Sequence, residues 1–167
     1  MTRQGRFGVI AAVATAIAVI VLTAAFPPTA GSKAALQPEC AGLNATIVGT
    51  SRSDRIVGTR GRDVIVARGG SDQILARGGD DRICAGSGSD QVMGGNGLDR
   101  IFGGTDRDQL QGGDGPDRIF GMGGRDQLAG NLGEDLLHGG LGVDMGDGGS
   151  GLDFCNGVEL RRRCESP

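Results

Sequence analysis

Tryptophan and tyrosine are absent from this 167-residue chain, phenylalanine occurs five times, and there is one histidine and one lysine. So little aromatic bulk argues against a conventional globular core, in which large side chains interlock. The lone histidine, His138, excludes a HExxH zinc site, which needs two, and it falls at an outward strand position that suits a surface or cap residue. The lone lysine, Lys33, precludes a GxxxxGK phosphate loop. A GxSxG nucleophile elbow is missing too, since the nearest stretch, "GGSGL" at 148–152, ends on Leu152. Catalysis is therefore not expected. Residues 49–157 carry 17 acidic side chains against 11 arginines and no aromatic platform, which argues against nucleic acid as a partner. Rows of outward threonines, as ice binding would need, are also missing from the strand positions.

Glycine, by contrast, supplies 34 residues. Before its order is considered, the first segment is set aside. Arg3 and Arg6 precede the apolar run "FGVIAAVATAIAVIVLTAAF" (7–26), followed by turn formers and small residues in "PPTAGSKA". This is the layout of an export signal, and the run is also long enough to act as an uncleaved anchor. Export admits disulfides. Cys155 and Cys164 lie close together in a non-repetitive tail, which suggests a local bridge and leaves Cys40 with Cys84, although four cysteines allow three pairings.

The glycines follow a strict rule. Asp54, Asp63, Asp72, Asp81, Asp90, Asp99, Asp108, Asp117, Asp126, Asp135, Asp144 and Asp153 recur every nine residues without a slip. Two residues before the aspartate, glycine stands in ten of the twelve repeats, Arg52 and Asp106 being the exceptions. Five residues before it, glycine stands in nine, with Ala67, Ala76 and Ala85 in the others. Two residues after it, the side chain is Ile, Val or Leu in ten repeats, until Gly146 and Cys155 break the pattern.

Each nonapeptide thus reads as a six-residue turn and a three-residue strand with one apolar residue between two outward ones. Such a strand is stable only when stacked on its like. The residue after each aspartate alternates, Arg82, Gln91, Arg100, Gln109, Arg118, Gln127, so two repeats make one coil of 18 residues. The expected fold is all-β: a parallel solenoid of two sheets, about 29 Å long at strand spacing, with the aliphatics as an internal ladder. One outer face would carry Arg82, Arg100 and Arg118 beside Phe102 and Phe120, the other Gln73, Gln91, Gln109 and Gln127.

This arrangement stacks the aspartates in two columns, one on each edge. Unit charges at that spacing repel by roughly 1 kcal/mol in water and about 3 to 4 kcal/mol at an effective dielectric of 20. Glycine adds a backbone entropy cost of about 0.5 to 1 kcal/mol per residue relative to alanine. A hard divalent cation between turns offsets both. Carboxylates from two turns together with backbone carbonyls make the all-oxygen shell that Ca²⁺ prefers, whereas Mg²⁺ demands stricter octahedral geometry.

The stretches "GGNGLDRIF", "GGDGPDRIF", "AGSGSDQVM" and "GGLGVDMGD" resemble the GGxGxDxUx nonapeptide of the repeats-in-toxin (RTX), hemolysin-type calcium-binding family, over about Gly49 to Asn156. The resemblance implies a right-handed parallel β-roll that binds several Ca²⁺ ions through the twelve aspartates and folds when calcium is present. Arg52 and Asp106 depart from the pattern before Asp54 and Asp108, and Met122 and Asn131 before Asp126 and Asp135. Family members exported by one-step transporters resemble one another in lacking an N-terminal signal, so the signal here points to the general secretory route. Family toxins, proteases and lipases carry their activity in a separate domain, and only the repeat is present here.

The expected organisation is an export signal or anchor at 1–34, an N-terminal cap at 35–48, the roll at 49–156 and a C-terminal cap or tail at 157–167. The expected function is that of a secreted or surface-held calcium-binding structural protein. An alternative is an adhesive module whose Arg82, Arg100 and Arg118 bind an anionic surface polymer; a third reading is a remnant or accessory of an RTX enzyme or toxin.

Overall fold

The computed structural model describes residues 19–20 and 39–165; apart from Val19–Ile20, the expected signal at 1–34 lies outside the described residues. Two parallel sheets face one another in a right-handed β-roll of about six coils. The first sheet runs, in spatial order, Val19–Ile20, Arg55–Val57, Gln73–Gly78, Gln91–Asn96, Gln109–Asp114, Gln127–Leu132, Met145–Ser150 and Leu160–Arg162. The second runs Ile47–Val48, Val64–Val66, Arg82–Ser87, Arg100–Thr105, Arg118–Gly124, Leu136–Gly142 and Phe154–Asn156. Successive repeats alternate between them, and from Ile47–Val48 to Phe154–Asn156 each strand pairs with the one 18 residues away, so that Gln91 faces Gln109 and Arg100 faces Arg118.

The internal ladder forms as the apolar spacing requires. Ile56, Ile65, Ile83, Ile101, Leu110, Ile119 and Leu137 are fully buried between the sheets. Each such side chain contributes about 1.5 to 3 kcal/mol of burial free energy. The ladder does not stop where its pattern breaks. Cys155 takes the next rung and is bridged to Cys164, while the side chain of Val158 closes over Gly146.

Strand length differs from the three residues expected. From Gln73 onward most strands run to six or seven residues, because the ladder continues into the glycines of the following turn. Gly113 pairs with Asn131 and Asp114 with Leu132, after Gly112 is skipped. Small residues let the main chains of adjacent turns approach and keep bonding. Ile47–Val48 and Arg55–Val57, which lead into Thr50 and Thr59, stay short.

At the N-terminal end the outward residues Val64 and Val66 are apolar, and a two-stranded antiparallel ribbon, Glu39–Cys40 with Leu43–Asn44, lies over them. The Cys40–Cys84 bridge fastens this ribbon across 44 residues, worth about 4 kcal/mol in the chain-entropy account. Both expected cysteine pairings are thus present.

The tight stacking gives a paired test. Gly113 has φ +129° and a Cβ there would overlap the carbonyl of Gly95, whereas the neighbourhood of Gly123 offers only an ordinary 3.8 Å contact. Gly113→Ala should destabilise the fold by about 1 to 3 kcal/mol and Gly123→Ala by less than about 0.5 kcal/mol, measured as thermal unfolding under identical conditions.

Candidate metal centre

All twelve aspartates of the repeat lie at the two edges of the roll, where sheet gives way to turn, and none is more than 8% exposed. One column holds Asp63, Asp81, Asp99, Asp117, Asp135 and Asp153; the other holds Asp54, Asp72, Asp90, Asp108, Asp126 and Asp144. Within each column the carboxylates are linked in one direction. The backbone N–H of Asp54 donates to Oδ1 of Asp72 at 2.8 Å, that of Asp99 to Asp117 at 2.8 Å, and that of Asp135 to Asp153 at 2.9 Å. The same bond recurs along both columns. At the C-terminal end of one column the series is completed by Glu159, whose Oε2 accepts the N–H of Asp144 at 2.6 Å. The nine-residue pattern does not mark Glu159, which stands 15 rather than 18 residues on.

The second oxygen is different. In the ten aspartates from Asp72 to Asp153, Oδ2 is buried and has no hydrogen-bond partner. Leaving one such atom unsatisfied is costly, and ten in register demand a common explanation. The glycine that opens the turn supplies the space beside it. A Cβ on Gly103 would lie 2.5 Å from Asp108 Oδ2 and 2.9 Å from the carbonyl oxygen of Gly121, in the next turn of the column. Carboxylate and carbonyl oxygens of successive turns therefore border one space, and the same pair surrounds Gly94, Gly121 and Gly130. In the three turns opened by Ala67, Ala76 and Ala85 a methyl group enters and joins the core.

Among the described residues no three His, Cys, Asp or Glu side chains gather at one point, and the four cysteines are bridged. A thiolate or imidazole metal is thus not served. The donors offered are carboxylate and main-chain carbonyl oxygens from two turns, which suits a hard cation of the Ca²⁺ type. The residues fit: Asp Oδ2 of one turn and the first carbonyl of the next would hold the ion, which when bound supplies positive charge to a buried anionic column. Asp108 belongs to this set although Asp106 replaces glycine before it, because Asp106 adopts the left-handed φ of 76° itself.

Burial pushes the carboxyls upward. Asp81, Asp108 and Asp117 are raised to about 7, and Asp72 and Asp99 to about 6, first by desolvation and then by neighbouring carboxylates; the bonded N–H of the preceding aspartate opposes the rise. Asp90, Asp126 and Asp135 move upward for the same leading reason.

A family model for the RTX calcium-binding nonapeptide repeat matches the chain in four copies, at residues 48–83, 84–119, 102–137 and 120–155. No curated protein matches the chain.

The raised carboxyls give a pH signature. Without metal, the folded chain holds protons that the unfolded chain releases near its ordinary carboxylate value, so this stabilisation is fully present below about pH 4 and is lost as the pH rises through 6 to 7. In chelator, thermal stability should fall between pH 5 and pH 8. In calcium the ion replaces the protons, so calorimetry at pH 6.5 in buffers of different ionisation enthalpy should record proton release on binding.

Proposed function

The chain belongs to the RTX calcium-binding nonapeptide repeat family, and from that premise we propose that it is a secreted protein whose β-roll is completed by several Ca²⁺ ions and whose role is structural or surface-associated. The observation that carries this reading is the set of ten buried Oδ2 atoms without a partner. Only a proton or a cation resolves their charge, and Asp72, Asp81, Asp99, Asp108 and Asp117 give up the proton as the pH rises through about 6 to 7. Export is supported by the apolar run at 7–26 behind Arg3 and Arg6, and by two disulfides, which persist in oxidising compartments. The same reading assigns the chain no catalytic activity, its support being the single His138 and Lys33 and the missing nucleophile elbow.

Chelator at pH 7.5 should remove most of the strand signal from the circular dichroism spectrum, and calcium should restore it cooperatively. A spectrum that chelation leaves unchanged would count decisively against the reading.

A second reading, adhesion to an anionic surface polymer, has its own observation. Arg82, Arg100 and Arg118 pair in register on one sheet, and among the described residues no carboxylate lies within salt-bridge distance of them. Partial burial and the like charges of Arg100 and Arg62 lower the Arg82 guanidinium from its ordinary value. Beside them the rings of Phe102 and Phe120 stack at 5.1 Å and 11°. Changing the three arginines to serine should abolish retention on an immobilised polyuronate while leaving calcium-dependent folding intact; undiminished retention would remove this reading.

A further inference from the structure

Two of the twelve turns are built on a different plan. In the ten later turns, from Arg68 at φ 82° to Gly149 at φ 107°, the second residue is in the left-handed region, and so is the fourth, from Gly70 to Gly151. Thr50 and Thr59 hold the second position in the first two turns, and neither they nor Arg52 and Gly61 have positive φ. A β-branched residue strongly resists that conformation. The threonines instead aim both of their donors at the aspartate. Thr50 donates its N–H and hydroxyl to Oδ2 of Asp54 at 2.6 and 2.9 Å, and Thr59 does the same to Oδ2 of Asp63 at 2.7 and 3.0 Å. These are the two repeat aspartates missing from the set of unsatisfied Oδ2 atoms.

The correspondence is complete: ten turns with a left-handed second residue have ten orphaned oxygens, and two turns with threonine have none. Two hydrogen bonds to an ionised carboxylate are charge-assisted and stabilise it without metal. A cation would have to displace both. We propose that the turns 49–54 and 58–63 are closed to calcium, Thr50 and Thr59 supplying internally what the ion supplies elsewhere, so that the first coil of the roll is a metal-independent cap. The ribbon lies over Val64 and Val66 of this same coil, and the Cys40–Cys84 bridge ties it to Arg82–Ser87, the strand that pairs with Val64–Val66. The inference rests on the calcium reading of the other ten turns.

Calorimetric titration of the full chain with calcium tests it by counting ions. Asp63→Asn should bind as many ions as the wild type, whereas Asp117→Asn should lose at least one. Thr59→Gly, which turns "GTRGRD" into a turn with all its glycines, should gain one ion. Loss of an ion in Asp63→Asn, or an unchanged count in Thr59→Gly, overturns the inference while the calcium reading stands. A wild type that takes up no calcium overturns that reading, and this inference with it.

Discussion

Each of the ten column aspartates from Asp72 to Asp153 accepts the N–H of the aspartate 18 residues earlier with one carboxylate oxygen and turns the other into a dry space between turns. This bond locks the coil to 18 residues, since a slip of one residue would leave both partners buried and unpaired. It also brings successive turns so close that a Cβ on most of the turn glycines would strike a carbonyl of the neighbouring turn. The abundance of glycine follows from that approach. So does the charge problem, because the same closeness that pairs Oδ1 strips Oδ2 of water.

A stack built this way has no natural end, and both ends need special chemistry. At the N-terminal end the solution is polar and covalent: threonine donors replace the ion, and a bridged ribbon covers the outward valines. At the C-terminal end Glu159 takes the last aspartate N–H of one column, Val158 fills the space above Gly146, and Arg163 pairs with Asp147 at 2.6 Å. That exposed pair itself contributes little, being screened by solvent. The Cys155–Cys164 bridge beneath it does more to hold the tail on the last coil.

The period, the two-sheet coil, the aliphatic ladder and the separate arginine and glutamine faces were legible in the sequence because each depends on a side-chain type at fixed spacing. Backbone geometry was less legible. The extension of strands into glycine and the left-handed conformation of Asp106 are main-chain properties that a residue name suggests but does not decide. The four glutamines stack in register as expected, yet among the described residues no hydrogen bond joins their side chains. Thr50 and Thr59 were visible in the repeat, but their meaning lies in where two donors point. Val158 reaches Gly146 from outside the nine-residue register, and no periodic argument could have placed it.

The non-glycine residues Arg68, Arg77, Met122 and Asn131 show how stacking and backbone conformation are coupled. Each holds a left-handed φ that costs roughly 1 to 2 kcal/mol for an ordinary residue, less for asparagine. Nothing local repays that cost; it is offset only when the adjacent coils are stacked and their ladders bonded. Strain, glycine entropy and buried charge therefore all oppose folding before the stack is complete, and on the proposed calcium reading ligand binding to the native state offsets them. For each ion bound, free calcium at ten times the dissociation constant adds about 1.4 kcal/mol, and several ions together add several times that. That sum is comparable to the whole stability of an ordinary domain. On the calcium reading proposed above, a chain with so thin a core is ordered where calcium is abundant and unfolded where it is scarce.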